Sequence, residues 1–276
     1  MMVLLLLATA ARAEQKNVKL LTGLTDSELQ RTMHLMRAAM GTHCDYCHVV
    51  KEEKGWDWAS DEKPAKRRAR KMIEMVIAIN RDHFGGQAVV TCVTCHRGSP
   101  KPVTLVELPQ PTPKFPTPIP EKPQLPEAKE VVAKYAAALG DASRLKLPRV
   151  VKGERTKHDG SKPFEFTEQN DPAADWFALV APSEIAEDAK TIAKENDAWV
   201  VKSGNQRLYF DTTTGLLVRR VVLTPRAIGT IPQQTDYEDY RDAGGVKFPF
   251  RIRALLIDPW MSVTRQYSAV EIGGIP

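Results

Sequence analysis

The sequence predicts an α+β chain built in two unlike parts: an all-helical N-terminal domain, a proline-rich linker, and a C-terminal antiparallel sheet domain with one or two helices. Three observations lead there. Apolar residues before the linker recur at helical spacing, and the last third of the chain alternates between turn signals. Between these parts, Pro100–Pro126 holds ten of the chain's twenty prolines. The boundaries read as 1–13 for an export signal, 14–99 for the helical domain, 100–126 for the linker and 127–276 for the sheet domain.

Each element has a local reason. Val3–Ala11 is apolar but too short to span a bilayer, and Ala11-Arg12-Ala13 is a small-x-small cleavage pattern. The mature chain is therefore expected to start near Glu14, outside the cytoplasm, periplasmic or otherwise exported, with no transmembrane helix. Thr25-Asp26-Ser27-Glu28 has the capping-box form, so a helix is expected over Asp26–Met40, ended by Gly41. A second is expected over Asp61–His83, with Pro64 in its first turn and Gly85-Gly86 after it. Met72, Ile73, Val76, Ile77 and Ile79 supply its apolar face. Proline at the linker's density excludes helix and central strand and favours extended polyproline II.

Beyond the linker, Glu127–Leu139 is amphipathic and stopped by Gly140. Pro182–Asn196 is expected to form a helix between strands. Strands are expected at Arg207–Phe210, Leu216–Leu223, Thr235–Tyr240, Val246–Ile257 and Thr264–Ile272, joined in part by Asp211–Gly215 and Ala243-Gly244-Gly245.

A formal charge of +5 is spread along the chain, which gives no support for a nucleic-acid partner. The chemistry lies before the linker, with all four cysteines and five of the six histidines. Cys44-Asp45-Tyr46-Cys47-His48 and Cys92-Val93-Thr94-Cys95-His96 are two copies of Cys-x-x-Cys-His, the c-type haem attachment pattern. Two thiols one turn apart reach the two vinyl groups on a haem edge, and the histidine that follows lies under the iron. Two haem c groups, with iron, are the cofactors this implies, and their four propionates would lower the formal +5 to about +1.

Three rival uses of these cysteines fit less well. A four-cysteine zinc site would need its pairs about 15–20 residues apart, whereas 44 residues separate Cys47 from Cys92. It would also leave both trailing histidines unexplained; dithiol redox centres accompany βαβ patterns and would rarely carry His in both copies, and two local disulfides are the bland alternative.

The sixth iron ligand is open from spacing alone. Met33, Met36, Met40, Met72 and Met75 all lie on the two helices, and His34, His43 and His83 compete with them. Methionine with imidazole is the low-spin electron-transfer ligation and raises the potential. Trp56 and Trp58 are candidates to pack on a porphyrin. Lys63, Lys66, Arg67, Arg68, Arg70 and Lys71 form a basic stretch suited to propionates, to an acidic partner, or simply to a solvated face.

The stretch from Asn17-Val18-Lys19 to Arg97-Gly98 resembles the cytochrome c subunit of photosynthetic reaction centres. The residues that carry this are Leu20-Leu21-Thr22-Gly23-Leu24, Met33–Cys44, Ala59-Ser60-Asp61, Arg70–Met75, Ile79-Asn80 and Val90–Gly98. The resemblance implies that Met33, eleven residues before Cys44, is the axial methionine of the first haem, and Met72, twenty before Cys92, that of the second. Met36, Met40 and Met75 then become pocket wall. The family's full subunit has four haems in two such pairs, whereas this chain has one pair, so reaction-centre service is not implied. His83 lies near a family position that ligates a haem of the other pair, and is not expected to be a ligand here.

The C-terminal segments Tyr209–Arg219 and Asp236–Arg241 resemble the half-barrel of periplasmic lipoprotein carriers, which implies a surface or cavity for lipid or for an envelope protein. The expected function is single-electron transfer between redox protein partners, with no catalytic residues. A diheme peroxidase with one open iron, or a lipid-binding envelope protein with accessory haems, is the alternative.

Overall fold

The computed structural model describes residues 16–102, 104–105, 108–109, 124–158, 161–172, 175, 177–258 and 261–273. The expected export signal at 1–13 and most of the 100–126 linker lie outside the described residues. The chain forms two compact units, residues 1–110 with 225–231 and residues 111–224 with 232–276.

The first unit contains α1 (Asp26–Met40), a small hairpin of β1 (Val49–Lys51) and β2 (Gly55–Asp57), α2 (Pro64–His83) and the short α3 (Cys92–His96). Its helix starts follow their sequence signals. Thr25 caps α1 through its hydroxyl and the Glu28 amide, while Glu28 reaches back to the Thr25 amide at 2.9 Å. Gly41 ends α1 with φ 61°, a left-handed conformation that favours glycine. Pro64 sits at the start of α2, which begins three residues later than expected because Asp61 bonds instead to Asn17 and Arg70. The β1–β2 hairpin corrects the all-helical expectation for this domain. Val49-Val50 supplies β-branched residues, and left-handed Gly55 lets the chain turn back onto them.

The core of this unit is Leu21, Met36, Ile73, Val76 and Ile228, with Met33, Met40 and Cys92 packed at its edge. Burying each such aliphatic side chain contributes about 1.5–3 kcal/mol. The Gly98 amide donates to the Ala39 carbonyl at 2.8 Å, so the turn after α3 is tied to the end of α1. A Cβ on Gly41 would overlap the Gly98 carbonyl oxygen. The backbones beside the two Cys-x-x-Cys-His motifs thus cross where only glycine fits.

The second unit carries α4 (Ala128–Leu139) and most of a nine-stranded antiparallel sheet. Its strands are β3 (Arg149–Lys157), β4 (Phe164–Asn170), β5 (Lys190–Glu195), β6 (Ala198–Ser203), β7 (Gln206–Asp211), β8 (Leu217–Arg226), β9 (Gly229–Asp242), β10 (Lys247–Leu255) and β11 (Val263–Ile272). β5 to β11 run as a meander in chain order, and β3 then β4 continue beyond β11, leaving β4 and β5 as open edges. α4 contributes the fully buried Tyr135 and Leu139, together with Val131, to a core shared with Phe210, Tyr237, Phe248 and Ile252. The buried Tyr135 hydroxyl donates to the Val180 carbonyl at 2.7 Å. Arg149, 2% exposed, meets Asp175 at 2.8 Å, and its guanidinium lies over the Phe248 ring.

The helix expected at Pro182–Asn196 is corrected. Pro182–Glu184 makes one short 3-10 turn, and Lys190–Glu195 is a strand paired to β6. Asn196 at φ 51° turns the chain tightly between β5 and β6, and that pairing overrides the weak helical pattern.

Candidate functional site

The first Cys-x-x-Cys-His motif follows directly from the end of α1. After Gly41 the chain makes a 3-10 turn over Cys44–Tyr46, with the Cys47 and His48 amides both donating to the Cys44 carbonyl. A cavity of about 1080 Å³ opens beside this turn. Met33, Met36 and Met40 from α1 line it together with Cys44, Cys47 and His48, as do Trp56 and Trp58. His34, His43, Lys66 and Arg70 line it as well, so the structure gathers twelve of the sequence-derived candidates around one space.

The ring of His48 is held from behind. Its Nδ1 lies 3.2 Å from the Trp58 carbonyl oxygen. A carbonyl only accepts, so Nδ1 carries the proton and Nε2 keeps its lone pair. The Trp58 ring packs edge-on to the imidazole at 5.0 Å and stacks parallel on Trp56 at 4.6 Å. Burial, reinforced by the Lys66 ammonium, holds the imidazole below its ordinary pKa and so in its neutral, ligating form. Burial also pushes the Cys47 thiol up, despite the nearby Lys63 and Lys66.

The second motif forms α3. The Thr91 amide bonds to the Thr94 hydroxyl at 3.0 Å, and Arg97 ends the helix in a left-handed turn, φ 47°. His96 Nδ1 lies 2.9 Å from the Ser99 carbonyl, so this ring too presents Nε2 outward. Burial raises the Cys92 thiol, while Cys95 is exposed. The loop into α3 is clamped by Asn80, 3% exposed, whose amide side chain donates to the Val90 carbonyl at 2.7 Å and accepts from the Val90 amide at 2.9 Å. Cys92, Cys95, His96, Met72 and Met75 do not line the first cavity. Met72 and Met75 are both 43% exposed on α2.

All four cysteines are free thiols. Among the described residues no three His, Cys, Asp or Glu side chains converge as a metal site. The donors present suit haem instead: paired thiols, an imidazole with its outer nitrogen oriented, and thioether sulfurs on an apolar wall. No helix among the described residues is long and apolar enough to cross a membrane.

Residues 7–135 match the photosynthetic reaction centre cytochrome C subunit family. The match extends the sequence resemblance, read over about residues 17–98, at both ends. The reaction centre cytochrome c subunit of Thermochromatium tepidum is 37% identical over 106 residues, covering 37% of this chain and 25% of that protein. The Rubrivivax gelatinosus subunit is 37% identical over 97 residues, covering 33% and 25%. Cytochrome c-554 of Chloroflexus aurantiacus is 32% identical over 91 residues, covering 30% and 20%. The chain thus spans a quarter or less of the length of these cytochromes.

Among solved structures, a LolA superfamily protein from Nitrosomonas europaea aligns with a TM-score of 0.35 and 9% identity, over 55% of this chain and 96% of that one. A putative outer membrane lipoprotein-sorting protein domain from Vibrio parahaemolyticus aligns at 0.32 and 7%, over 53% and 93%.

In the first unit two participants carry no sequence signal, and two more are named in the sequence without the role the structure gives them. The Trp58 and Ser99 carbonyls are backbone groups with no residue-type signal. Lys66 was one cation among six in the basic stretch. Asn80 entered only through the family resemblance, although a polar residue on the apolar face of a helix is a signal that a buried partner exists.

Proposed function

We propose that this chain is an exported diheme c-type cytochrome that passes single electrons between redox protein partners. The observation that carries the reading is the pair of histidines, each directly after Cys-x-x-Cys and each with Nδ1 on a backbone carbonyl. That arrangement prepares Nε2 of both rings as a metal ligand.

Cys44 and Cys47 would hold the first haem through thioethers, with His48 and Met33 as its axial ligands. Cys92, Cys95, His96 and Met72 would serve the second. When bound, haem c supplies a reversible Fe(II)/Fe(III) couple, low-spin where imidazole and thioether fill both axial sites. The protein's share is orientation and exclusion of water. The Trp58 carbonyl and indole fix the His48 ring plane. Met36 and Met40 provide apolar wall beside Met33. The Asn80–Val90 clamp sets where α3 begins, and the Gly41–Gly98 crossing ties the two motifs together. Were Met33 and Met72 to fill the remaining iron positions, as the family resemblance implies, no substrate would need the metal, which is the reason for reading electron transfer rather than peroxidase chemistry. In the C-terminal sheet, the proposed role is a docking or lipid-contact surface in the cell envelope.

The test is mass spectrometry and spectroscopy of the exported chain. Two added porphyrins and a weak iron–sulfur charge-transfer band at the red end of the oxidised spectrum are expected. Met33→Ala and Met72→Ala should each weaken that band. A chain without porphyrin at either motif, or carbon monoxide binding by the native wild-type protein, would overturn the reading.

A further inference from the structure

We infer that Lys66 tunes the first haem, holding its reduction potential above that of the second by drawing on the same carbonyl that anchors His48. This rests on the diheme reading and deepens it, since neither spacing nor family resemblance ranks the two haems.

Lys66 occupies the third position of α2, where a cation opposes the positive end of the helix dipole, and the first turn of α2 holds no acidic residue. A local preference broken in this way points to a role elsewhere. The lysine side chain is 13% exposed. Its Nζ lies 2.6 Å from the Trp58 carbonyl, 2.9 Å from the Ser60 carbonyl and 3.7 Å from Asp61 Oδ1. Burial pulls the Lys66 ammonium below its ordinary range while Asp61 pushes the other way, and two carbonyl acceptors with a carboxylate beside them favour its charged form.

The Trp58 oxygen therefore serves two donors, Lys66 Nζ at 2.6 Å and His48 Nδ1 at 3.2 Å. At the second motif the Ser99 carbonyl accepts from His96 at 2.9 Å and, among the described residues, from no other group. At their acceptors the two histidines thus differ: the first shares its carbonyl with a cation.

Both consequences have the same sign. Electron density drawn toward the ammonium weakens the hydrogen bond that the Trp58 carbonyl accepts from His48 Nδ1, leaving the ring a poorer donor through Nε2. A nearby positive charge also disfavours Fe(III) more than Fe(II). Asp61 offsets part of that charge, but Arg70 at 2.8 Å and Lys19 at 3.8 Å also claim its carboxylate. The charge around the loop remains positive.

The experiment is an optical redox titration of the full-length, haem-loaded protein as wild type, Lys66→Met and Lys66→Arg. Each is repeated in a Met72→His background, which lowers the second haem so that the first is read alone; Met33→His is the mirror control. Mass spectrometry first confirms two haems per chain. The wild type should show the first haem at the higher potential. Lys66→Met should raise its Fe(III)/Fe(II) ratio at fixed ambient potential about tenfold, a fall of about 59 mV for one electron. The second haem should not move, and Lys66→Arg should restore most of the difference. A first haem that is unmoved by Lys66→Met, equal shifts at both haems, or a first haem below the second would overturn the inference. Absence of haem from the chain would instead overturn the functional reading beneath it.

Discussion

Replacing Asn80 by alanine is expected to destabilise the first unit and loosen the second motif. Asn80 is 3% exposed, and its two side-chain bonds, 2.7 and 2.9 Å, satisfy both polar groups of Val90, two residues before Cys92. Its own carbonyl also accepts from the Phe84 amide at 3.0 Å and the Gly86 amide at 2.9 Å, but those bonds survive the substitution. A hydrogen bond contributes about 1 kcal/mol net, and a buried group left unpaired costs about 1–3 kcal/mol. Val90 is only half-buried, so water recovers part of each bond, and the lower end applies to both. The expected loss is therefore about 2–3 kcal/mol, which for a domain of this size lowers the melting temperature by on the order of 10 °C or more. Asn80→Asp keeps the acceptor for the Val90 amide but turns a carboxylate toward its carbonyl, and should recover less than half of the loss. Thermal unfolding followed by circular dichroism reads the stability, and intact-mass analysis reads haem occupancy at each motif. An alanine variant that melts within about 2 °C of wild type, well inside the expected shift, would refute the clamp.

Other perturbations follow from the same geometry. Gly41→Ala places a side chain on the Gly98 carbonyl and forces a left-handed residue, φ 61°, which alone costs about 1–2 kcal/mol; near-normal melting of this variant would show that the crossing is not tight. Asp175→Ala leaves Arg149 buried without its carboxylate, and breaking such a pair costs about 3–5 kcal/mol, to be read by denaturant unfolding of the C-terminal unit. The Asp61 carboxyl is held well below the usual range by its hydrogen bonds to Arg70 and then to Asn17. A depressed folded pKa means stability that is present above the unfolded value of about 3.9 and lost as pH falls through the folded one. Asp61→Asn should therefore lower the melting temperature at neutral pH, and the gap to wild type should narrow steadily below about pH 4; a gap independent of pH would contradict this sign.

Much of this chain is legible residue by residue. Thr25 and Glu28 mark the start of α1, Gly41 its end, and Pro64 the first turn of α2, because capping and backbone freedom act over three or four residues. The two Cys-x-x-Cys-His motifs announce their chemistry for the same reason: one turn of chain contains the whole attachment pattern. Strands β7 to β11 are bounded by their own turn residues, so their alternation shows through. By contrast, β3, β4, β5 and β6 were not anticipated, and Lys190–Glu195 was expected as helix. The partners that make those segments strands lie elsewhere in the chain: β3 pairs with β11, at the far end of the sequence.

The sequence alone shows the haem-attachment pattern and the capping residues that bound α1, since each depends on neighbours along the chain. Tertiary structure alone decided which carbonyls hold His48 and His96, that Lys66 shares one of them, and that Gly41 meets Gly98. Those contacts join residues whose sequence separation carries no pattern, and several use backbone atoms that every residue possesses. The contacts that hold the two histidines are therefore written in packing, although the attachment pattern is written in residue type.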